Sequence, residues 1–292
     1  MNKIDKKVPV LFGEVLFDCF PDGETVLGGA PFNVAWHLQA FNDHPCFVSR
    51  IGKDELGAKI QAAMERWGMS AHALQQDEVH ATGRVEIKFE DNEPHYNIMP
   101  DSAYDFIGSQ SLPESVKPGL LYHGSLALRN AASRGALEYL VADTNLPIFV
   151  DVNLRSPWWS KDEVLAWLNQ ADWVKLNEDE LVLLYGQGEL LSLMKHCVNE
   201  NELNYLVVTR GERGAIALAQ GEESIEVKPD SIEHFVDTVG AGDAFTSVLV
   251  HGLLNGWALA DTMERAQRFA SAIVGQRGAI PADRSFYQQF VN

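Results

Sequence analysis

The chain has 292 residues, 46% of them hydrophobic and 22% charged, the composition of a globular protein with one large core or two modest ones. Its 41 acidic against 23 basic residues give a formal net charge of −18, and no basic patch offsets it, which disfavours nucleic acid as a partner. The same charge opposes anionic substrates at long range unless a bound Mg2+ and local donors overcome it at one site.

Lys3, Asp5, Lys6 and Lys7 lead into an apolar run broken by Glu14 and Asp18, which is no signal peptide. No stretch approaches the length of a membrane span. Residues 8–15 are a predicted strand, and a Gly28-Gly29-Ala30-Pro31 turn leads into a helix over 32–41. A strand over 46–51 and a helix over 55–67, ended by Gly68, follow. Apolar Val85, Ile87 and Phe89 then alternate with Arg84, Glu86, Lys88 and Glu90, which predicts a strand with one dry face. Residues 91–94 would make the turn and 95–98 the returning strand of a hairpin, better suited to a small flap than to the centre of a sheet. Strands over 120–123, 148–152, 173–176 and 205–209 alternate with helices over 133–141, 160–168 and 178–185. That order predicts an α/β protein with a parallel sheet covered by helices on both faces. Phe245, Val248, Leu249 and Leu253 recur at helical spacing, so a further helix starts near 240–243. Cys19, Cys46 and Cys197 are odd in number and widely spaced, as in a reducing compartment, and the cytoplasm is the expected location. His123 has no second histidine or cysteine nearby and reads as a strand-end residue rather than a metal ligand.

The most informative stretch is 237–245, Asp-Thr-Val-Gly-Ala-Gly-Asp-Ala-Phe. A glycine turn opening a helix leaves backbone N–H groups free for an anion, above all a phosphate, so Gly240, Ala241 and Gly242 are candidate phosphoryl ligands. Asp243 would repel that anion if holding it were its task; it fits as a base that takes a proton from an attacking hydroxyl. The plainer alternative is an Asp that stabilises a helix dipole. Gly28, Gly29 and Asn33 are a candidate hydroxyl-binding turn, or merely a tight turn with Pro31 at the first helical position. Asp18, ten residues upstream, could accept two hydrogen bonds from adjacent sugar hydroxyls, or stand alone on the surface. Asn177 and Glu180 read as a capping box, or as part of the water shell of a nucleotide-borne Mg2+. Asp151 to Arg155 ends a strand where open sheets bind ligands, and Arg155 is a candidate phosphate or sugar contact. Thr209, Gly211 and Gly214 border a nucleotide or simply join two strands.

Taken in order, Gly28-Gly29-Ala30 with Asn33, Asp151 to Arg155, Asn177 with Glu180, Thr209 with Gly211 and Gly214, and 237–245 resemble the PfkB family of carbohydrate kinases, nearly end to end. The resemblance implies a single ribokinase-like domain over 1–292, a three-layer α/β/α sandwich with a lid built from strands at about 15–28 and 82–99. It implies transfer of the γ-phosphoryl group of ATP to a sugar hydroxyl, with Asp243 as base and Gly240, Ala241 and Gly242 as anion hole. By the same resemblance Asn177 and Glu180 act through Mg2+, Asp237 is a candidate site for K+, and Asp18, Gly28, Gly29, Asn33 and Arg155 hold the sugar. Gly13-Glu14 with Asp18, Thr82-Gly83 and the segment 153–158 are most similar to fructokinases, so fructose is the expected sugar; ribose, 2-keto-3-deoxygluconate and nucleosides are the alternatives. A lid with one apolar face also raises a homodimer. One departure is Ala270-Ser271-Ala272, where many members carry an Asn beside the adenine. Two other readings remain at this point: a non-catalytic sugar or nucleotide sensor, and a dinucleotide oxidoreductase, although Gly13-Glu14-Val15 supplies no glycine fingerprint for the latter.

Overall fold

The computed structural model describes residues 7–90, 93–229, 238–276 and 278–290. Its strands, in chain order, are β1 (Val8–Phe12), β2 (Leu16–Cys19), β3 (Thr25–Gly28), β4 (Cys46–Gly52), β5 (Leu74–Asp77), β6 (Gly83–Glu90) and β7 (Glu93–Ile98). After these come β8 (Pro118–His123), β9 (Ile148–Asp151), β10 (Trp173–Asn177), β11 (Tyr205–Thr209), β12 (Ala215–Ala219) and β13 (Ile225–Val227). Among the described residues, nine of them form the main sheet in the order β13-β12-β11-β10-β9-β8-β1-β4-β5. From β11 to β5 every pairing is parallel; β12 and β13 close the other edge antiparallel. The central strands are continuous apolar runs because both of their faces are covered.

Among the described residues the α-helices are α1 (Ala30–Ala40), α2 (Glu55–Trp67), α3 (Ala131–Thr144), α4 (Lys161–Leu168), α5 (Glu178–Tyr185), α6 (Leu190–Glu200), α7 (Ala241–Asn255), α8 (Leu259–Val274) and α9 (Arg284–Tyr287). On one side of the sheet α1, α2, α7 and α8 bury Phe32, Ile60, Leu249 and Phe269 against Leu11, Tyr122 and Phe149. On the other side, α3 to α6 cover Val10, Phe12, Val150, Val174 and Leu206. This is the three-layer α/β/α sandwich expected from the motif order. Local chemistry sets the helix ends. Asp54 accepts the Gly57 N–H (2.8 Å) at the start of α2, and Gly68 ends it in the left-handed region (φ 74°). Asn130 caps α3, which therefore starts two residues before the expected 133. The helix α8 has its apolar residues Met263, Ala266, Phe269, Ala270 and Ile273 at helical spacing, a pattern that the chain-order reading above does not use.

A second sheet, β3-β2-β6-β7, lies beside the first. Val85 and Ile87 are buried, while Arg84 and Lys88 are exposed, so β6 has the predicted dry and wet faces. The returning strand begins at Glu93, two residues before the expected 95, and Glu90 pairs with Glu93. Of the predicted turn over 91–94, residues 93–94 belong to β7, and 91–92 lie outside the described residues.

Candidate active site

The carboxyl ends of the central strands β1, β9 and β10 meet the start of α7. Gly240, the residue before α7, is left-handed (φ 81°), and a Cβ there would stand 2.4 Å from the Ala279 Cβ. Only glycine fits on both counts. Ala241 N–H turns back to Thr238 O (3.2 Å), and among the described residues no side chain caps the helix start. The first turn of α7 is therefore an anion-seeking end. Asp243 sits within it, with its carboxyl pushed up to about 6. Burial is the main cause and the Asp151 charge adds to it, while the Asn33 hydrogen bond, Lys175 and Arg155 act in the opposite direction.

The Gly28–Asn33 turn delivers its side chain to that carboxylate. Asn33 Nδ2 donates to Asp243 Oδ2 at 2.7 Å, and Asn33 itself is 5% exposed. Its Oδ1, buried, has no partner among the described residues. Gly29 (φ 107°) approaches so closely that a Cβ there would stand 2.8 Å from Glu14 O. A Cβ on Gly28 would lie 3.9 Å from Asp18 Oδ2 and 4.0 Å from Asn33 Oδ1, so these three residues share one small space. Burial raises the Asp18 carboxyl, and Arg155 counteracts it. Arg155, exposed on the loop after β9, faces Asp18, Glu14 and Asp243 electrostatically.

On the other side of α7 a cavity of about 660 Å³ opens. Thr209, Gly211 and Gly214 line it together with Ala241, Gly242 and Phe245. The Thr209–Gly214 segment joins β11 to the antiparallel β12, and it also walls the cavity. Gln267, Ala270, Ser271 and Val274 of α8 form the far wall, with Gln267 Nε2 donating to Ser271 Oγ at 3.2 Å. A smaller cavity of about 360 Å³ lies around His251 and Trp257 and shares no residue with this one.

Asn177 and Glu180 do not line the larger cavity. Asn177 Oδ1 accepts the Glu180 N–H and Glu180 Oε2 accepts the Asn177 N–H, both at 2.8 Å, a complete capping box. Glu180 Oε1 also accepts the Leu154 N–H at 2.7 Å, tying α5 to the loop that carries Arg155. Among the described residues no group of three or more His, Cys, Asp or Glu could hold a metal ion. The donor set still fits a Mg2+ that arrives on nucleotide phosphates, because such an ion keeps most of its waters and each Glu180 oxygen has a lone pair left for one. Asp237 lies outside the described residues.

Three groups in this region escaped the sequence reading of the site. Glu14 follows β1, is 3% exposed, and has Oε2 without a partner among the described residues; burial pushes its carboxyl up to about 7. Lys175 and Thr246 both bond to Asp151 beneath α7. A signal existed for Lys175, a charge inside the apolar strand Trp173–Asn177, since a buried lysine requires a partner.

The family profile described as pfkB family carbohydrate kinase matches residues 16–285. A fructokinase of Escherichia coli is 30% identical over 303 residues, covering 94% of this chain and 95% of its own. A solved fructokinase double mutant from Vibrio cholerae O395, in fructose, ADP and potassium ion bound form, superposes with a TM-score of 0.81 at 25% identity and covers 99% of this chain and 100% of its own. An aminoimidazole riboside kinase from Salmonella enterica, complexed with aminoimidazole riboside and an ATP analog, reaches 0.80 at 22% identity over 98% of this chain and all of its own, a likeness of fold. The profile runs through Asp18, Asn33, Glu180 and Asp243 alike, and the chain belongs to the pfkB family of carbohydrate kinases.

Proposed function

We propose that the protein is an ATP-dependent fructokinase. The observation that carries this reading is the Asn33–Asp243 hydrogen bond, which joins the hydroxyl-binding turn to the carboxylate at the anion-seeking helix start. The sugar lies over Gly28 and Gly29, between Asp18 and Asn33, with one hydroxyl on Asp243. That hydroxyl oxygen bonds to the γ-phosphorus as the bond from phosphorus to the bridging oxygen breaks. The electron pair leaves with ADP, and the hydroxyl proton passes to Asp243. Of the backbone N–H groups of residues 240–243, that of Ala241 is taken by Thr238 O, and the others face the charge that spreads over the phosphoryl oxygens. The nucleotide lies in the cavity between Thr209–Gly214 and α8. Glu180 would hold, through water, a Mg2+ carried on the nucleotide, and the ion would supply neutralisation of the phosphate charge.

The acidic lining favours a neutral sugar over a sugar acid or sugar phosphate. Asp18, Glu14 and Asp243 are three carboxyls against one guanidinium, Arg155. The fructokinase relatives point the same way. The second sheet, from β2, β3, β6 and β7, serves as the lid that keeps water from the phosphoryl group. We extend the proposal to a K+ site at Asp237, supported by the potassium ion of the Vibrio cholerae structure. It also includes a homodimer through the lid, whose strand β7 presents Tyr96 62% exposed. A cytoplasmic location is supported by the three free thiols.

The test is a coupled ADP-release assay with fructose, ribose, 2-keto-3-deoxygluconate, nucleosides and fructose phosphates. Fructose should give the highest kcat/KM. A sugar acid or a sugar phosphate turning over faster would overturn the assignment. Asp243→Asn should lower kcat by roughly 10²–10⁴-fold with an unchanged circular dichroism spectrum, the scale for removing a positioned base.

A further inference from the structure

One buried charge in this region has entered so far only as a counterweight to the burial of the Asp243 carboxyl. Lys175 is 7% exposed, in a strand whose neighbours Val174 and Leu176 are fully buried. Its register partner on β9 is Asp151, and its Nζ donates to Asp151 Oδ1 at 3.0 Å and to Oδ2 at 3.2 Å. Thr246, in the second turn of α7, donates to the same Asp151 Oδ2 at 2.7 Å and also lies 3.0 Å from Gly242 O. The ammonium stands 3.3 Å from where a Cβ on Gly242 would be. A larger side chain at 242 would push against the lysine, so the absence of a side chain there leaves Nζ directly beneath the turn. Two β-strands and the first turns of α7 are thus fastened together around one positive charge.

A pair of this kind is weak evidence for stability, because a buried ion pair can often be exchanged for neutral groups at little cost. Its position has a chemical use. Charge spreading over the oxygens of a transferring phosphoryl group is stabilised most by fixed charges and dipoles already oriented in a dry site. We infer that Lys175 is a positioning residue for phosphoryl transfer, held by Asp151 and Thr246 so that its ammonium supplies fixed positive charge under residues 240–243. It touches neither substrate: Gly242 lies between. This inference rests on the kinase reading, and it adds a residue to the machinery that backbone N–H groups and Asp243 would otherwise form alone.

The experiment exchanges the pair for a neutral one, Lys175→Met with Asp151→Asn. The Asn oxygen still accepts from Thr246, and no buried charge is left unpaired. The expected result is a folded enzyme whose kcat falls roughly 10–100-fold, somewhat less than the cost of deleting a direct oxyanion donor. KM for sugar and for ATP should stay within about threefold, since ground-state binding is left to other residues. Should that pair not fold, Lys175→Gln with Asp151→Asn keeps a hydrogen bond between the two positions and is read in the same way. A folded double variant with kcat near that of the parent would overturn the inference, and so would a loss confined to KM. Parent enzyme in the same assay separates the two levels: no sugar turnover by the parent overturns the kinase reading itself, whereas an active parent with an equally active double variant removes only the role of Lys175.

Discussion

Asn33 donates to Asp243 across 210 residues of sequence, at 2.7 Å. The bond does two things at once: it orients the carboxylate toward the Gly28–Gly29 turn, and it favours the ionised form that burial disfavours. Asn33→Ala should therefore raise the Asp243 pKa above about 6. A base works only when ionised, so the acid limb of kcat should move to higher pH. A limb that stays in place in the variant would mean that the hydrogen bond does not govern the base.

Asp18→Ala should act on the sugar alone. Its carboxylate shares the space between Gly28 and Asn33, away from the cavity bounded by Thr209 and α8. A site that hydrogen-bonds hydroxyls loses affinity when their partners are removed, so sugar KM should rise at least about tenfold, roughly 1.4 kcal/mol. Steady-state kinetics with each substrate varied in turn gives the answer. A selective rise in ATP KM would reverse the assignment of the two halves.

Glu180→Gln should cost stability as well as Mg2+ affinity. Both carboxylate oxygens accept backbone N–H groups, from Leu154 and Asn177. The Gln amide nitrogen would face one of these donors, and a buried donor left without an acceptor costs about 1–3 kcal/mol. Thermal unfolding should shift downward, and a Mg2+ titration of kcat should shift to higher concentration. Reduced stability with an unaltered titration would leave Glu180 with the capping role only.

Glu14→Gln should stabilise the protein in neutral and alkaline solution. The folded carboxyl titrates at about 7, above the ordinary 4.5, so its contribution to stability is full below about pH 4.5 and lost as pH rises through about 7. Gln has no charge to bury. The variant should thus match the parent at pH 4 and exceed it at pH 8, by up to about 3 kcal/mol. Equal denaturant midpoints at both pH values would place Glu14 in a less demanding environment than its burial implies.

The layer order and the anion-seeking helix start were legible in the sequence because each rests on local pattern. The helix over 55–67 and the strand over 205–209 have the boundaries that spacing and caps predicted. Gly240 announces a helix start because its left-handed backbone and close approach to Ala279 admit glycine alone. The site as a whole was a different matter. Asp18, Asn33 and Asp243 could be named one by one, but each had an equally local explanation as a turn, a cap or a surface charge. Packing of α1 against α7 is what brings Asn33 to Asp243 and makes one site of them. Glu14, Lys175 and Thr246 gave weaker signals, since a charge in an apolar strand becomes informative only when its partner is known. Asp151 lies 24 residues from Lys175 and 95 from Thr246, and parallel pairing of β9 with β10 under α7 is the contact that joins them. Local periodicity follows from bonded geometry and is written in neighbouring residues; burial, unpartnered polar atoms and displaced pKa values arise from distant segments closing on one another, and only the tertiary structure decides those.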